Sequence, residues 1–190
     1  MDKANIRFIK GIGMTPFGFS EKQSYMLAYD AISQALNDAD MSPNQLDAII
    51  IANIDFGTNG ERQRHFGSLF SSLLKFYKPI IRSPSACASG GVGIFTAMSM
   101  GFDNILVVGC EKLSTMKTQL MTEEFMMAAE FMWEQPEGMI FPAQTALVAQ
   151  QHFLKYGSNL HDLSLISYKN HQNGAKNPNA KFYNKSVSLA

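Results

Sequence analysis

Cys87 stands where a nucleophile could work. It opens the segment Ser85-Ala86-Cys87-Ala88-Ser89-Gly90-Gly91-Val92-Gly93, and no charged residue lies between Arg82 and Asp103. This uncharged stretch follows one short apolar run, 79–82, and precedes another, 104–109, so a helix linking two strands is expected. A helix with no charge on any side is expected to be buried on every side. Gly90, Gly91 and Gly93 would each cost it about 1 kcal/mol relative to alanine, and close approach of neighbouring backbone is the expected compensation. The picture is a central helix enclosed between sheets, with Cys87 at its N-terminal end. Free N–H groups and the positive end of the helix dipole would there favour thiolate over thiol. The same N–H groups could stabilise the oxyanion formed when sulfur attacks a thioester carbonyl. The competing reading is structural, because an unpaired cysteine is most often one more small buried residue. From the residues alone, both readings stay open.

Other reactive residues carry less. Cys110 ends an apolar run and is expected to be buried. His65, His152, His161 and His171 share no ligand spacing with either cysteine, so a zinc site is not expected. His171 falls near the end of a helical stretch and is expected to be a surface or capping residue. Gly11-Ile12-Gly13 begins like a dinucleotide-binding loop, but Pro16 occupies the third glycine position and the motif fails. Six methionines between Met116 and Met139 are expected to be flexible core.

The elements that must position Cys87 follow from periodicity. Residues 5–13 alternate and end in glycine, which predicts a strand. Helical spacing runs over 20–41, with Ser20 as N-cap and Ser42-Pro43 as the stop. Residues 46–52 form a β-branched run expected as a buried strand, and 61–77 an amphipathic helix. Strands are predicted at 79–82 and 104–109, and helices at 142–156 and 159–170. Helices alternating with short buried strands give an α/β architecture with a partly parallel sheet.

Composition bounds the rest. A chain of 190 residues is one domain, or little more. Apolar residues make up 46% and charged residues only 17%, against about 25% charged in an ordinary domain, so surface meant for another subunit is expected. Sixteen basic residues balance sixteen acidic ones, which supplies no general attraction for nucleic acid or anionic lipid. The N-terminal residues lack the apolar core of a signal peptide, and no stretch approaches a membrane span. A cytoplasmic chain with reduced thiols is expected.

Several stretches together resemble the thiolases, especially the sterol-carrier-protein-type and archaeal members. They are Gly11-Ile12-Gly13-Met14-Thr15-Pro16, Cys87-Ala88-Ser89-Gly90 with the apolar helix after it, Gly138-Met139-Ile140-Phe141-Pro142-Ala143, and Lys169-Asn170-His171-Gln172-Asn173-Gly174. They occur in family order from near residue 6 to about 182. The resemblance implies a thiolase-like α/β fold, one N-terminal half with a mixed five-stranded sheet and a buried nucleophile helix. It makes 1–190 one thiolase N-terminal domain with a methionine-rich loop region inserted at about 114–141. It implies an acetyl-CoA C-acetyltransferase half in which Cys87 takes an acyl group from acyl-CoA, with its own N–H as an oxyanion donor. Coenzyme A thioester would be a substrate, with no permanently bound cofactor, and Met139 is the candidate residue near the acyl site. The base histidine and second cysteine belong to the family's C-terminal half, so turnover by this chain alone is not expected. A homodimer or higher oligomer is implied, paired through the strand at 79–82, with a separate C-terminal half or a zinc/OB-fold bridging protein as further partners. A non-catalytic scaffold subunit and a ketosynthase-like condensing fragment are the alternatives.

Overall fold

Ala48-Ile49-Ile50-Ile51-Ala52 forms β1 (Ala48–Ala52), and all five residues are buried. The computed structural model that shows this describes residues 6–54, 61, 63, 65–113 and 116–189. β1 lies between β2 (Ile80–Arg82) and β3 (Ile105–Gly109), parallel to both, in the order β2-β1-β3. Ile50 pairs with Ile81 on one side and Val107 on the other. A strand flanked on both edges and covered on both faces has no solvent side, so the run is apolar throughout.

The faces of β1 are filled by alternate residues. Ile49 and Ile51 join Leu106 and Val108 in a core with α1 (Ser24–Asp38) and α2 (Phe66–Leu74). α1 contributes Ala28, Ile32 and Leu36; α2 contributes Phe66, Phe70 and Leu74. Phe66 and Phe70 are fully buried, their rings 6.2 Å apart, and burial of each is worth roughly 1.5–3 kcal/mol. The opposite face of β1 and β3 carries α3 (Ser89–Ser99). The strand order explains the arrangement: β1 to β2 and β2 to β3 run in opposite directions across the sheet. Right-handed crossovers therefore put α2 and α3 on opposite faces.

Two compact units are formed, Met1–Thr15 with Phe19–Thr115, and Pro16–Gly18 with Met116–Ala190. The sheet, α1, α2 and α3 make up the first. The second holds α4 (Thr118–Met126), α5 (Phe141–Tyr156) and α6 (Leu160–Gly174). Gly157, at φ +73°, closes α5, and Asn159 caps α6 in a reciprocal box with Asp162. No helix among the described residues is long and apolar enough to cross a membrane.

Four expectations are corrected. The described part of the predicted strand at 5–13 is not a strand; it runs along α1. Ile12 N–H donates to Asp38 Oδ2 at 2.9 Å and Met14 N–H to Gln34 Oε1 at 3.2 Å, so helix side chains take the amides a sheet would need. A Cβ at Gly11 would lie 2.8 Å from Ala39 Cβ, and one at Gly13 2.9 Å from Gln34 Cβ, which is why glycine stands at both. The sheet has three parallel strands among the described residues, not five mixed ones. α1 starts after Gln23, because the Ser20 hydroxyl instead accepts from Lys22 N–H. The methionine-rich stretch is not all loop, since α4 and a series of turns occupy it.

α3 differs most from expectation. Only Ser89 and Gly93 are buried on it, while Ile94, Phe95 and Met98 are 54%, 70% and 47% exposed. The sheet covers one side of the helix and leaves its apolar opposite side open. Gly93 does serve close approach: a Cβ there would meet Ala52 and Val107 at 3.2 Å. Around Gly90 and Gly91 a Cβ would find open space, so neither is required by contact with the described residues.

Candidate functional site

The turn that carries Cys87 hangs from the end of the sheet. Ser83 N–H donates to Ile51 O at 2.8 Å, carrying the β1–β2 ladder one residue beyond β2. The chain then reverses through Ser85 and Ala86 into a single 3₁₀ turn, Ala86–Ala88, that runs directly into α3. Ala88 N–H closes the turn on Ser85 O at 2.9 Å. Ala86 sits at φ +47°, a left-handed conformation that costs a residue with a Cβ about 1–2 kcal/mol. Something must hold it there.

Ser89 does. This residue is 5% exposed and its Oγ lies 2.8 Å from Ser85 N, 2.7 Å from Ala86 O and 2.8 Å from Asn53 O. Asn53, just past β1 and 2% exposed, is fixed in turn by Arg82 Nε–H, which donates to its Oδ1 at 2.8 Å. These bonds span 29 and 36 positions of sequence, which is why no local pattern announced them.

On this support Cys87 is an exposed free thiol. The reading of Cys87 as one more small buried residue is thus excluded. Cys110 is the contrary case: it is 8% exposed at the end of β3, as expected. Burial, reinforced by the Glu111 carboxylate and partly offset by Arg82, pushes its thiol up to about 12. A thiol so placed carries almost no thiolate near neutral pH.

The remaining candidates are local. His171 Nδ1 lies 2.9 Å from Ser167 O on its own helix, and its ring packs 4.9 Å from Phe182, as suits a helix-end histidine. Met139 is half-buried before α5, and its carbonyl accepts from Gln144 Nε2 at 3.1 Å. It belongs to the second unit, Cys87 to the first. A polar cluster escaped sequence reasoning. Glu61 accepts from Ser24 N–H at 3.0 Å and from its hydroxyl at 2.6 Å, and pairs with the buried Lys112 at 3.5 Å. Lys112 also donates to Lys22 O at 2.6 Å, tying the start of α1 to the segment after β3.

Comparison with known proteins fits this arrangement. The family described as thiolase, N-terminal domain, matches residues 8–188. An acetyl-CoA acetyltransferase of Methanothermobacter thermautotrophicus is 30% identical, the match covering 90% of this chain and 46% of that protein. Sterol carrier protein 2 of Homo sapiens is 26% identical over 92% of this chain and 34% of its own length. The chain thus spans about half, or less, of the curated relatives it matches. The solved structure of the Ltp2-ChsH2(DUF35) aldolase shares the fold, with a TM-score of 0.62 at 22% identity, covering 95% of this chain and 46% of that one. A parallel sheet, an exposed cysteine on a strained turn before α3 and a match running through both lead to one assignment: the chain belongs to the thiolase family, in the part that forms its N-terminal domain.

Proposed function

We propose that this chain is the acyl-accepting half of a thiolase-type acyltransferase, of the acetyl-CoA C-acetyltransferase kind. The observation that carries the reading is the exposed Cys87, presented on the strained turn that opens α3. In the proposed step the Cys87 thiolate attacks the carbonyl carbon of an acyl-CoA. A carbon–sulfur bond forms to Cys87, the bond to coenzyme A breaks, and the departing thiolate takes a proton. The developing oxyanion is met by the Cys87 N–H. Coenzyme A enters and leaves as substrate, and no resident cofactor has a part.

Condensation needs a base to remove an α-proton and an acid to protonate coenzyme A. We assign both to the family's C-terminal half, in the same chain or in another polypeptide, because His171 is engaged with its own helix. That half is proposed to cover Ile94, Phe95 and Met98. The fold relative named together with a DUF35 protein keeps a bridging partner in the proposal. Self-association through the edge strand β2 belongs to the same reading, as does a reducing compartment for the two free thiols. Labelling with acetyl-CoA tests the whole. One acetyl group on Cys87 without turnover is expected; a folded chain that takes none is the scaffold subunit instead, for which the open face of α3 speaks.

A further inference from the structure

We propose that Ser89 is a positioning residue for Cys87, its buried hydroxyl aiming the Cys87 N–H toward the exposed side of the turn as the oxyanion donor. The inference rests on the reading of Cys87 as an acyl acceptor. A hydroxyl has one proton and two lone pairs. Ser89 Oγ accepts from Ser85 N–H, and its single proton serves the Ala86 and Asn53 carbonyls, at 2.7 and 2.8 Å. Ser89 N–H donates to the Ala86 carbonyl as well. That carbonyl is thereby held toward the buried Ser89. The peptide joining Ala86 to Cys87 is planar and trans, so its N–H lies on the opposite edge from its C=O. A carbonyl held inward leaves the Cys87 N–H facing outward, the side on which Cys87 is exposed.

The left-handed Ala86 shows the cost of this arrangement and Ser89 its restraint. Asn53, locked by Arg82 and lying just past β1, anchors the hydroxyl to the sheet. Without the hydroxyl the peptide is freer to turn over, and the Ala86 oxygen would then stand where the N–H stood. Attack on a carbonyl would suffer, whereas displacement of iodide from iodoacetamide, which develops no oxyanion, would not.

The test compares two reagents on the 190-residue chain. p-Nitrophenyl acetate acylates Cys87: the carbon–sulfur bond forms, the ester carbon–oxygen bond breaks, p-nitrophenolate leaves with its electron pair, and the thiol proton goes to buffer. Iodoacetamide alkylates the same sulfur. Rates come from peptide mass mapping, with thermal unfolding as the check on folding. Ser89→Ala is expected to lower the acylation-to-alkylation ratio about tenfold, the size of one lost hydrogen bond. Ser89→Thr, which keeps the hydroxyl, is expected to restore most of it. Asn53→Ala, which loosens the anchor, is expected to lower the ratio by less and carries the test if Ser89→Ala unfolds. An unchanged ratio in the folded variants, a parallel fall of both rates, or a wild-type Cys87 that alkylates but never acylates would overturn the assignment. A wild-type chain acylated by the ester but not by acetyl-CoA would contradict the thiolase proposal alone.

Discussion

Cys87 and Cys110 both follow strands of one parallel sheet, yet their surroundings differ in every respect that governs a thiol. Cys110 comes directly after β3, still within the core, with carboxylates nearby. Cys87 comes five residues after β2, carried out of the core by a turn that strains Ala86. The difference teaches that the exposure of a thiol here is set by how the backbone leaves the sheet rather than by residue type. A strand that runs straight on buries its cysteine; a strand that turns sharply into a helix presents it.

Competitive alkylation is the largest way to break this contrast. With its thiol pushed up to about 12, Cys110 has a thiolate share near 10⁻⁴ at pH 8, roughly, and little access besides. Cys87 is expected to be labelled at least about a hundredfold faster, read by peptide mapping in the folded chain. Comparable rates would end the comparison.

The closed environment of Cys110 depends on its neighbours. Lys112 is 8% exposed and bonded to Glu61 and Lys22, so Lys112→Ala leaves a mostly buried Glu61 carboxylate without its cation. A loss of about 3 kcal/mol in denaturant unfolding is expected, with faster labelling of Cys110 and little change at Cys87. A loss below about 0.5 kcal/mol would place the pair among surface ion pairs of no consequence.

Alkaline pH sharpens the contrast next. The Cys110 thiol is raised from 9.0 to about 12 on folding, so the unfolded chain releases its proton first as pH rises. Its contribution to stability is therefore complete below pH 9 and is lost between there and about 12. Cys110→Val should flatten the fall in stability between pH 8 and about 10.5, by about 2 kcal/mol, in unfolding curves taken across that range. Identical pH profiles would contradict the burial argument. The smallest effect is at Ala86, where Ala86→Gly removes the left-handed strain and should raise stability by up to about 1 kcal/mol. A clear loss of stability would show that the turn is not strained.

Much of this molecule was legible in its sequence, and the parts that were not share a cause. Ile49 to Ile51, Ile105 to Val108 and the uncharged stretch after Cys87 declared the strands and α3, because burial leaves unbroken apolar or uncharged runs. The α/β class and the thiolase-like fold followed from those runs and from the family motifs. The segment before Met14 misled, because alternation looks the same whether a neighbouring strand or the side chains of α1 take the amides. α3 misled for a second reason. An uncharged helix announces that its faces are meant to be covered, not that one chain covers them all. Ser89, Asn53, Glu61 and Lys112 were invisible because each works through bonds to residues far away in sequence, which no local spacing records.

The central claim is that Cys87 accepts an acyl group from a coenzyme A thioester. The most direct measurement is incubation of the folded 190-residue chain with acetyl-CoA, followed by peptide mapping and an assay of released coenzyme A. The account predicts one acetyl group per chain, on Cys87, with one equivalent of coenzyme A released and no further turnover. A folded chain that releases no coenzyme A and carries no acetyl group on Cys87, while iodoacetamide still alkylates that sulfur, would contradict it.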